Sequence, residues 1–98
     1  MAGDERLVIV AYDITDRRRW RRVFKAMNGY GEWLQLSVFQ CRLSPRRAKE
    51  MEAALRGLIK AGEDHVLLLD VGPADSAKVG ITSLGKSFAP LERRAIVI

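Results

Sequence analysis

The chain opens with an apolar run, residues 7–13, that ends in the carboxylate of Asp13. Four to eight apolar and β-branched residues bounded by polar ones are typical of a buried strand. We therefore predict a strand here, with Asp13 at its C-terminal end, where a side chain reaches solvent. An arginine-rich segment, residues 17–22, follows almost at once. A carboxylate facing clustered arginines indicates a site for phosphate groups and for a metal ion.

Two later segments have the periodicity of amphipathic helices. The first is predicted from a cap at Thr15 or Asp16 to about Asn28, because its apolar residues recur at i, i+4 and i+7. The second is predicted to begin at Ser44-Pro45, a hydroxyl cap followed by proline at the first helical position, and to end at Gly62. The apolar residues that carry the first pattern are Trp20, Phe24 and Met27.

The remaining apolar segments are predicted to be strands. Residues 32–43 have apolar positions on both alternating faces, which favours one long strand that is covered on both sides for part of its length. Residues 65–71 are nearly continuously apolar, which favours a central strand. A short fourth strand is predicted at 79–84, and residues 95–98 are expected to add a strand to a second copy of the chain.

Composition narrows the class of protein. At 98 residues the chain is expected to form one domain, 1–98. No apolar run approaches a membrane span and no signal core follows the N-terminus, so a cytoplasmic protein is expected. The single cysteine, Cys41, is expected to be a small buried hydrophobe. A net charge of +5 and a pI near 9.9 favour a polyanionic partner.

The basic residues are concentrated at the starts of both predicted helices. Five arginines follow Asp16 with no acid among them, and arginines in a first turn oppose the helix dipole. We therefore favour phosphate contact over a merely solvated face for this cluster: Arg17, Arg18, Arg19, Arg21 and Arg22. Arg46, Arg47 and Lys49 fit a solvated helix end or a second phosphate contact equally well.

The only histidine, His65, is expected to be structural or solvated, and Asp70 has no evident partner.

The predicted element order is β-α-β-α-β-β, which indicates an α+β, ferredoxin-like sandwich with an altered last hairpin. Its sheet is antiparallel, and both helices lie on one face. The other face is then bare, and its valine, leucine and isoleucine content makes it a candidate dimer interface.

Three motifs carry a resemblance to a known family: Tyr12-Asp13-Ile14-x-Asp16, then Arg17-Arg18, then Gln35-x-Ser37-Val38-Phe39-x-Cys41-x-Leu43. Over residues 7–71 the sequence resembles the small CRISPR-associated protein of the spacer-acquisition pair. The resemblance implies a ferredoxin-like homodimer whose C-terminal strand pairs with the partner subunit. It also implies a role in CRISPR adaptation, in which the dimer binds duplex DNA and bridges the integrase subunits.

The same resemblance implies an Mg2+-dependent endonuclease, with Mn2+ as a substitute, that acts on single-stranded RNA or double-stranded DNA. Asp13 matches the family's metal-binding aspartate, and the two copies would share the ion because one aspartate is a poor site for a hard cation. Lys86 would extend the basic surface of the arginines.

The alternative is a non-catalytic, basic, dimeric nucleic-acid-binding or regulatory module on the same scaffold. A base-reading RNA domain is disfavoured because residues 65–71 contain no aromatic side chain.

Overall fold

The structure is a computed structural model that describes residues 4–77 and 80–85. Its elements are, in chain order, β1 (Arg6–Asp13), α1 (Arg17–Met27), β2 (Glu32–Gln35), β3 (Val38–Leu43), α2 (Pro45–Leu58) and β4 (His65–Pro73). The strands form one antiparallel sheet in the order β2-β3-β1-β4. The predicted α+β, ferredoxin-like sandwich is confirmed, but its element order is β-α-β-β-α-β rather than β-α-β-α-β-β.

The prediction of one strand over residues 32–43 is wrong, because the chain turns back at Leu36 and Ser37 to form the hairpin of β2 and β3. Leu36 has a φ of 42°, which a leucine rarely adopts. Two indole groups hold this turn. The Nε1–H of Trp33 donates to the carbonyl oxygen of Leu36 at 2.8 Å, and the Nε1–H of Trp20 donates to the Ser37 hydroxyl at 2.7 Å.

The two C-terminal strand predictions also need correction. Residues 65–71 belong to β4, but within the described residues β4 is an edge strand that pairs with β1 alone. Residues 80–84 are not a strand, since nothing in the described part of the chain pairs with them along a ladder. Val79, Lys86 and the apolar segment 95–98, with its proposed pairing to a second copy, lie outside the described residues.

Both helices begin where side-chain caps were predicted. The Asp16 carboxylate accepts a bond from the backbone N–H of Arg19 at 2.9 Å, and the Ser44 hydroxyl accepts from that of Arg47 at 3.2 Å. The predicted end of the first helix near Asn28 is confirmed, whereas α2 ends at Leu58, before Gly62. In residues 4–77 and 80–85, no helix has the length and apolar character needed to cross a membrane.

The hydrophobic core lies between the helices and one face of the sheet. The alternating residues of β1 and β3 that face the helices are buried together with Val23, Met27, Met51 and Leu55 of the helices. A cluster of rings fills the part beneath α1, with Phe24 contacting three other aromatic side chains. Cys41 is fully buried in this core, as predicted, and burial raises the pKa of its thiol to about 11.

Neither of the helices in the described part of the chain lies on the opposite face of the sheet, which is apolar over β1 and β4, whereas β3 contributes Gln40 and Arg42 to it. Register places Ile9 beside Leu69 and Ala11 beside Leu67, on the side of the sheet away from the core. Both leucines are 49% exposed, which is a high value for leucines in the middle of a strand. The predicted bare apolar face is therefore present over β1 and β4 of the described sheet.

Candidate functional site

Asp13 is the last residue of β1, at the end of the sheet where α1 begins. On one side it is paired in register with His65, the first residue of β4. On the other side, the backbone N–H of Tyr12 donates to the carbonyl oxygen of Ser37 at 3.1 Å, just beyond the last ladder pair of β1 and β3. The exposed Asp13 carboxylate therefore extends from a backbone that is held on both sides.

Four of the five predicted arginines lie exposed on α1, which begins four residues after Asp13. Their side chains form no hydrogen bond or ion pair with any residue in the described part of the chain. Their spacing makes two i, i+4 pairs, so each pair repeats along one line of the helix surface. This free arginine surface consists of Arg17, Arg18, Arg21 and Arg22.

Arg19 differs from these four because acidic side chains surround its guanidinium. Its Nε donates to Asp64 at 2.8 Å, its Nη2 donates to Glu63 at 3.1 Å, and its Nη1 lies 4.0 Å from Asp16. The hydrogen bond to Asp64, whose side chain is fully buried, raises the pKa of Arg19. Arg19 therefore ties α1 to the segment before β4, and we leave it out of the free arginine surface.

The cations at the start of α2 divide in the same way. Arg47 donates to Glu50 and to the carbonyl oxygen of Gly29, both at 2.8 Å, and lies 4.5 Å from the centre of the Tyr30 ring. Arg46 and Lys49 are exposed and have no such partners among the described residues. Arg47 thus has a structural role, while the other two remain available to an anion.

Asp70 has a partner that the sequence did not reveal. Arg6 lies 3.1 Å from its carboxylate, and the backbone N–H of Gly72 donates to it at 3.0 Å. The hydrogen bond from Arg6 is the main cause that lowers the pKa of Asp70. The two residues lie 64 positions apart in sequence, so only the pairing of β1 with β4 brings them together.

The donor set of one chain is sparse for a metal ion. Within residues 4–77 and 80–85, no group of three or more histidine, cysteine, aspartate or glutamate side chains could hold a metal. Magnesium prefers several oxygen ligands in an octahedral shell. Asp13 of one chain can supply one of them, and a complete site needs water, substrate phosphate or a second copy of the chain.

The turn of Leu36 and Ser37, at the same end of the sheet as Asp13, was not predicted from the sequence. The segment has no glycine, proline or asparagine, so the usual signals of a hairpin are missing. The length of the segment could have indicated the turn, because a strand of 12 residues, 32–43, is about twice the usual strand length of 5 to 6 residues.

Comparison with known proteins identifies the family. The model of the family described as CRISPR associated protein Cas2 matches residues 6–79. The chain belongs to the Cas2 family. The resemblance inferred from the motifs around Asp13 and Ser37 is thereby confirmed.

Curated relatives and solved structures of the Cas2 family agree with this assignment. The chain is 54% identical over 94 residues to the CRISPR-associated endoribonuclease Cas2 of Geobacter sulfurreducens, covering 96% of this chain and 99% of the relative. It is 37% identical to a CRISPR-associated endonuclease Cas2 of Thermus thermophilus, covering 70% and 87%. A crystal structure titled cas2 matches with a TM-score of 0.70 at 32% identity, covering 85% and 92%.

The partly buried ion pair of Arg19 and Asp64 predicts how acid affects stability. Arg19 is the main cause that lowers the pKa of Asp64 in the folded chain. A carboxyl group whose pKa is lower in the folded state than in the unfolded state stabilises the fold at pH values above its unfolded-state pKa. This contribution is lost as the pH falls through the folded-state pKa. We expect Asp64→Asn to lower the free energy of unfolding at pH 7 and to have a much smaller effect in acid, well below the usual aspartate pKa.

Urea denaturation of both proteins at neutral and acidic pH measures this difference. Asp75→Asn is the matched control, because Asp75 is 63% exposed and makes only a 3.4 Å contact with Arg42. Its effect is expected to be small at every pH. An Asp64→Asn effect that stayed constant with pH would contradict the assigned role of the ion pair.

Proposed function

We propose that the protein is a metal-dependent endonuclease whose cleavage site is centred on Asp13. The observation that carries this proposal is the position of Asp13, which is exposed at the end of β1 and is followed directly by the free arginine surface. Arginine side chains bind phosphate oxygens, and a carboxylate can place a divalent cation beside the same phosphate. The names of the endoribonuclease and endonuclease relatives support this reading.

The metal would be Mg2+, with Mn2+ as a substitute, because both accept oxygen ligands in an octahedral shell. When bound, it would polarise the scissile phosphate and activate a water molecule. Since residues 4–77 and 80–85 of one chain bring no group of further metal ligands to Asp13, we propose that two copies bring their Asp13 residues to one site. The free arginines would then hold the nucleic acid on either side of it.

The bare face of the sheet supports a homodimer. It exposes Leu67 and Leu69 beside Ile9 and Ala11, an apolar surface of the kind that forms a symmetric interface. Asp13 belongs to the same side of β1 as Ile9 and Ala11, because alternate residues of a strand face the same way. A dimer formed through this face would therefore bring two Asp13 side chains towards the interface.

The replacement Asp13→Ala tests the proposed chemistry. Cleavage of labelled single-stranded RNA and double-stranded DNA, with Mg2+ and with chelator, is expected to fall by about a hundredfold or more in the variant. Binding of the nucleic acid should be kept, since the arginines supply most of the affinity. Asp75→Ala, which removes an exposed aspartate from the other end of β4, is the control and should cleave normally. Metal-dependent cleavage that is unchanged in Asp13→Ala would exclude this role.

A second function is favoured by the sparse donor set of the described residues. In this alternative the dimer cleaves nothing and holds duplex DNA between integrase subunits during CRISPR adaptation. It needs only a continuous basic surface on each half of the dimer, to which Lys86 would add. Backbone contacts of this kind are independent of base sequence and depend strongly on salt.

The free arginine surface predicts a measurable salt dependence of binding. For duplex DNA, the logarithm of the affinity falls with the logarithm of salt concentration, with a slope of about one per phosphate contact. We expect Arg18→Gln with Arg22→Gln to reduce that slope by about two. Arg56→Gln is the control, because Arg56 already pairs with Glu52 at 2.9 Å on α2. An equal slope in wild type and the double variant would show that α1 does not contact the backbone.

The apolar face predicts the effect of a buried charge on the dimer. Leu69→Lys places an ammonium group beside Ile9 on this face, where burial without a partner is costly. We expect sedimentation equilibrium to show a dimer for wild type and a monomer for the variant, with cleavage lost as well. Ala53→Lys, on the exposed side of α2, should leave the dimer intact. A Leu69→Lys protein that dimerised normally would place the interface elsewhere.

A further inference from the structure

Leu36 combines two features that the fold does not require. Its side chain is 74% exposed, and its φ of 42° lies in the left-handed region. Chirality makes this region unfavourable for residues other than glycine. The first position of a two-residue hairpin with positive φ usually carries glycine or asparagine, either of which would relieve the strain. The chain instead holds an exposed apolar side chain in a strained conformation.

Hydrogen bonds from three elements hold the backbone around Leu36. The Nε1–H of Trp33, in β2, donates to its carbonyl oxygen. The next residue, Ser37, accepts from the backbone N–H of Tyr12 in β1 and from the Nε1–H of Trp20 in α1. The side chain is therefore presented from a rigid turn rather than from a freely moving loop.

The turn lies at the same end of the sheet as Asp13. The β1–β3 ladder ends with Ala11 beside Val38, and the bond from Tyr12 to Ser37 follows it. The turn of Leu36 and Ser37 is therefore at the same end of the sheet as Asp13, and Ser37 is the turn residue nearer to β1. The turn of α1 that holds Ser37 through Trp20 also carries Arg17 and Arg21, both of which are exposed. Leu36 is thus an exposed apolar side chain at the end of the sheet that carries the Asp13 carboxylate and the start of the arginine-bearing helix, and a leucine has no electrostatic role there.

We propose that Leu36 contacts a nucleobase of the bound strand next to the phosphate that Asp13 faces. This proposal rests on one part of the proposed function, namely that nucleic acid binds at this end of the sheet. A leucine cannot bond a phosphate, whereas the face of a base is apolar, and leucine side chains do insert beside unstacked bases. A base is accessible in this way in a single strand or a frayed end, so these are the substrates that the contact favours.

The observations favour a base over a second copy of the chain as the partner of Leu36. The apolar face that we assign to the dimer is formed by the regular parts of β1 and β4. Leu36 belongs to the loop beyond the last β1–β3 pair, at the end of the sheet with the free arginines.

Three replacements of Leu36 distinguish an effect on nucleic-acid binding from an effect on folding. Leu36→Gly and Leu36→Asn suit a positive φ, so both proteins should melt at or above the wild-type temperature. Leu36→Met keeps an apolar side chain of similar size and is the matched control. In an Asp13→Asn background, which prevents cleavage, we expect Gly and Asn to weaken binding of a short single-stranded RNA about tenfold, and Met to change it by less than about twofold.

A double-mutant cycle that combines Leu36→Gly with removal of single bases from the RNA identifies the group that Leu36 contacts. One base at a time is removed from the RNA, and binding to the Leu36 and Leu36→Gly proteins is measured by fluorescence anisotropy. At the contacted position, loss of the base should weaken binding to the Leu36 protein about tenfold and should have little effect on Leu36→Gly. This coupling is independent of cleavage, so it is measured equally well if the endonuclease proposal fails.

Three results would overturn the proposal. The first is unchanged RNA affinity in Leu36→Gly and Leu36→Asn. The second is a loss of affinity that no abasic position reproduces, because that would exclude a base as the partner. The third is a change of oligomeric state in Leu36→Gly, measured by sedimentation, that accounts for the lost affinity and assigns Leu36 to the dimer.

Discussion

The hydrogen bonding of β1 on both sides is the constraint on which the rest of the structure depends. β3 pairs along one edge of this strand and β4 along the other, so its backbone has no free edge over most of its length. Buried residues of β1 anchor both helices through the core. Because Asp13 ends this strand, the residue around which the candidate site is built extends from a strand that is hydrogen-bonded on both sides.

Neighbouring arginines of one helix have different roles because of what surrounds them. Arg19 lies on the side of α1 that faces the segment before β4, where the buried Asp64 binds it. Arg18 and Arg22 lie on exposed parts of the same helix and have no acid within reach in the described structure. The same residue type thus stabilises the packing at one position and leaves a positive charge for an anion at the next.

The turn of β2 and β3 shows how a strained position departs from local sequence rules. An unstrained hairpin would have glycine or asparagine at residue 36, and its absence is the reason that the sequence predicts one strand there. Tryptophan side chains from α1 and β2 supply the hydrogen bonds that close the turn. A strained residue that local and tertiary hydrogen bonds maintain, at the same end of the sheet as an exposed carboxylate, is typical of a functional site.

The sequence by itself determined the sandwich of two helices on an antiparallel sheet, the capped helix starts at Asp16 and Ser44, the burial of Cys41 and the position of Asp13. These follow from local periodicity and capping, which act over a few residues. The family also follows from the sequence, through motifs whose spacing is visible along the chain. Only the tertiary structure decided that β4 lies at an edge of the described sheet, that Arg19 and Asp70 are paired, and that the chain reverses at Leu36. The first two depend on contacts between residues far apart in the chain, and the reversal at Leu36 is held partly by such contacts, from Tyr12 and Trp20 to Ser37. Periodicity carries no information about contacts of this kind.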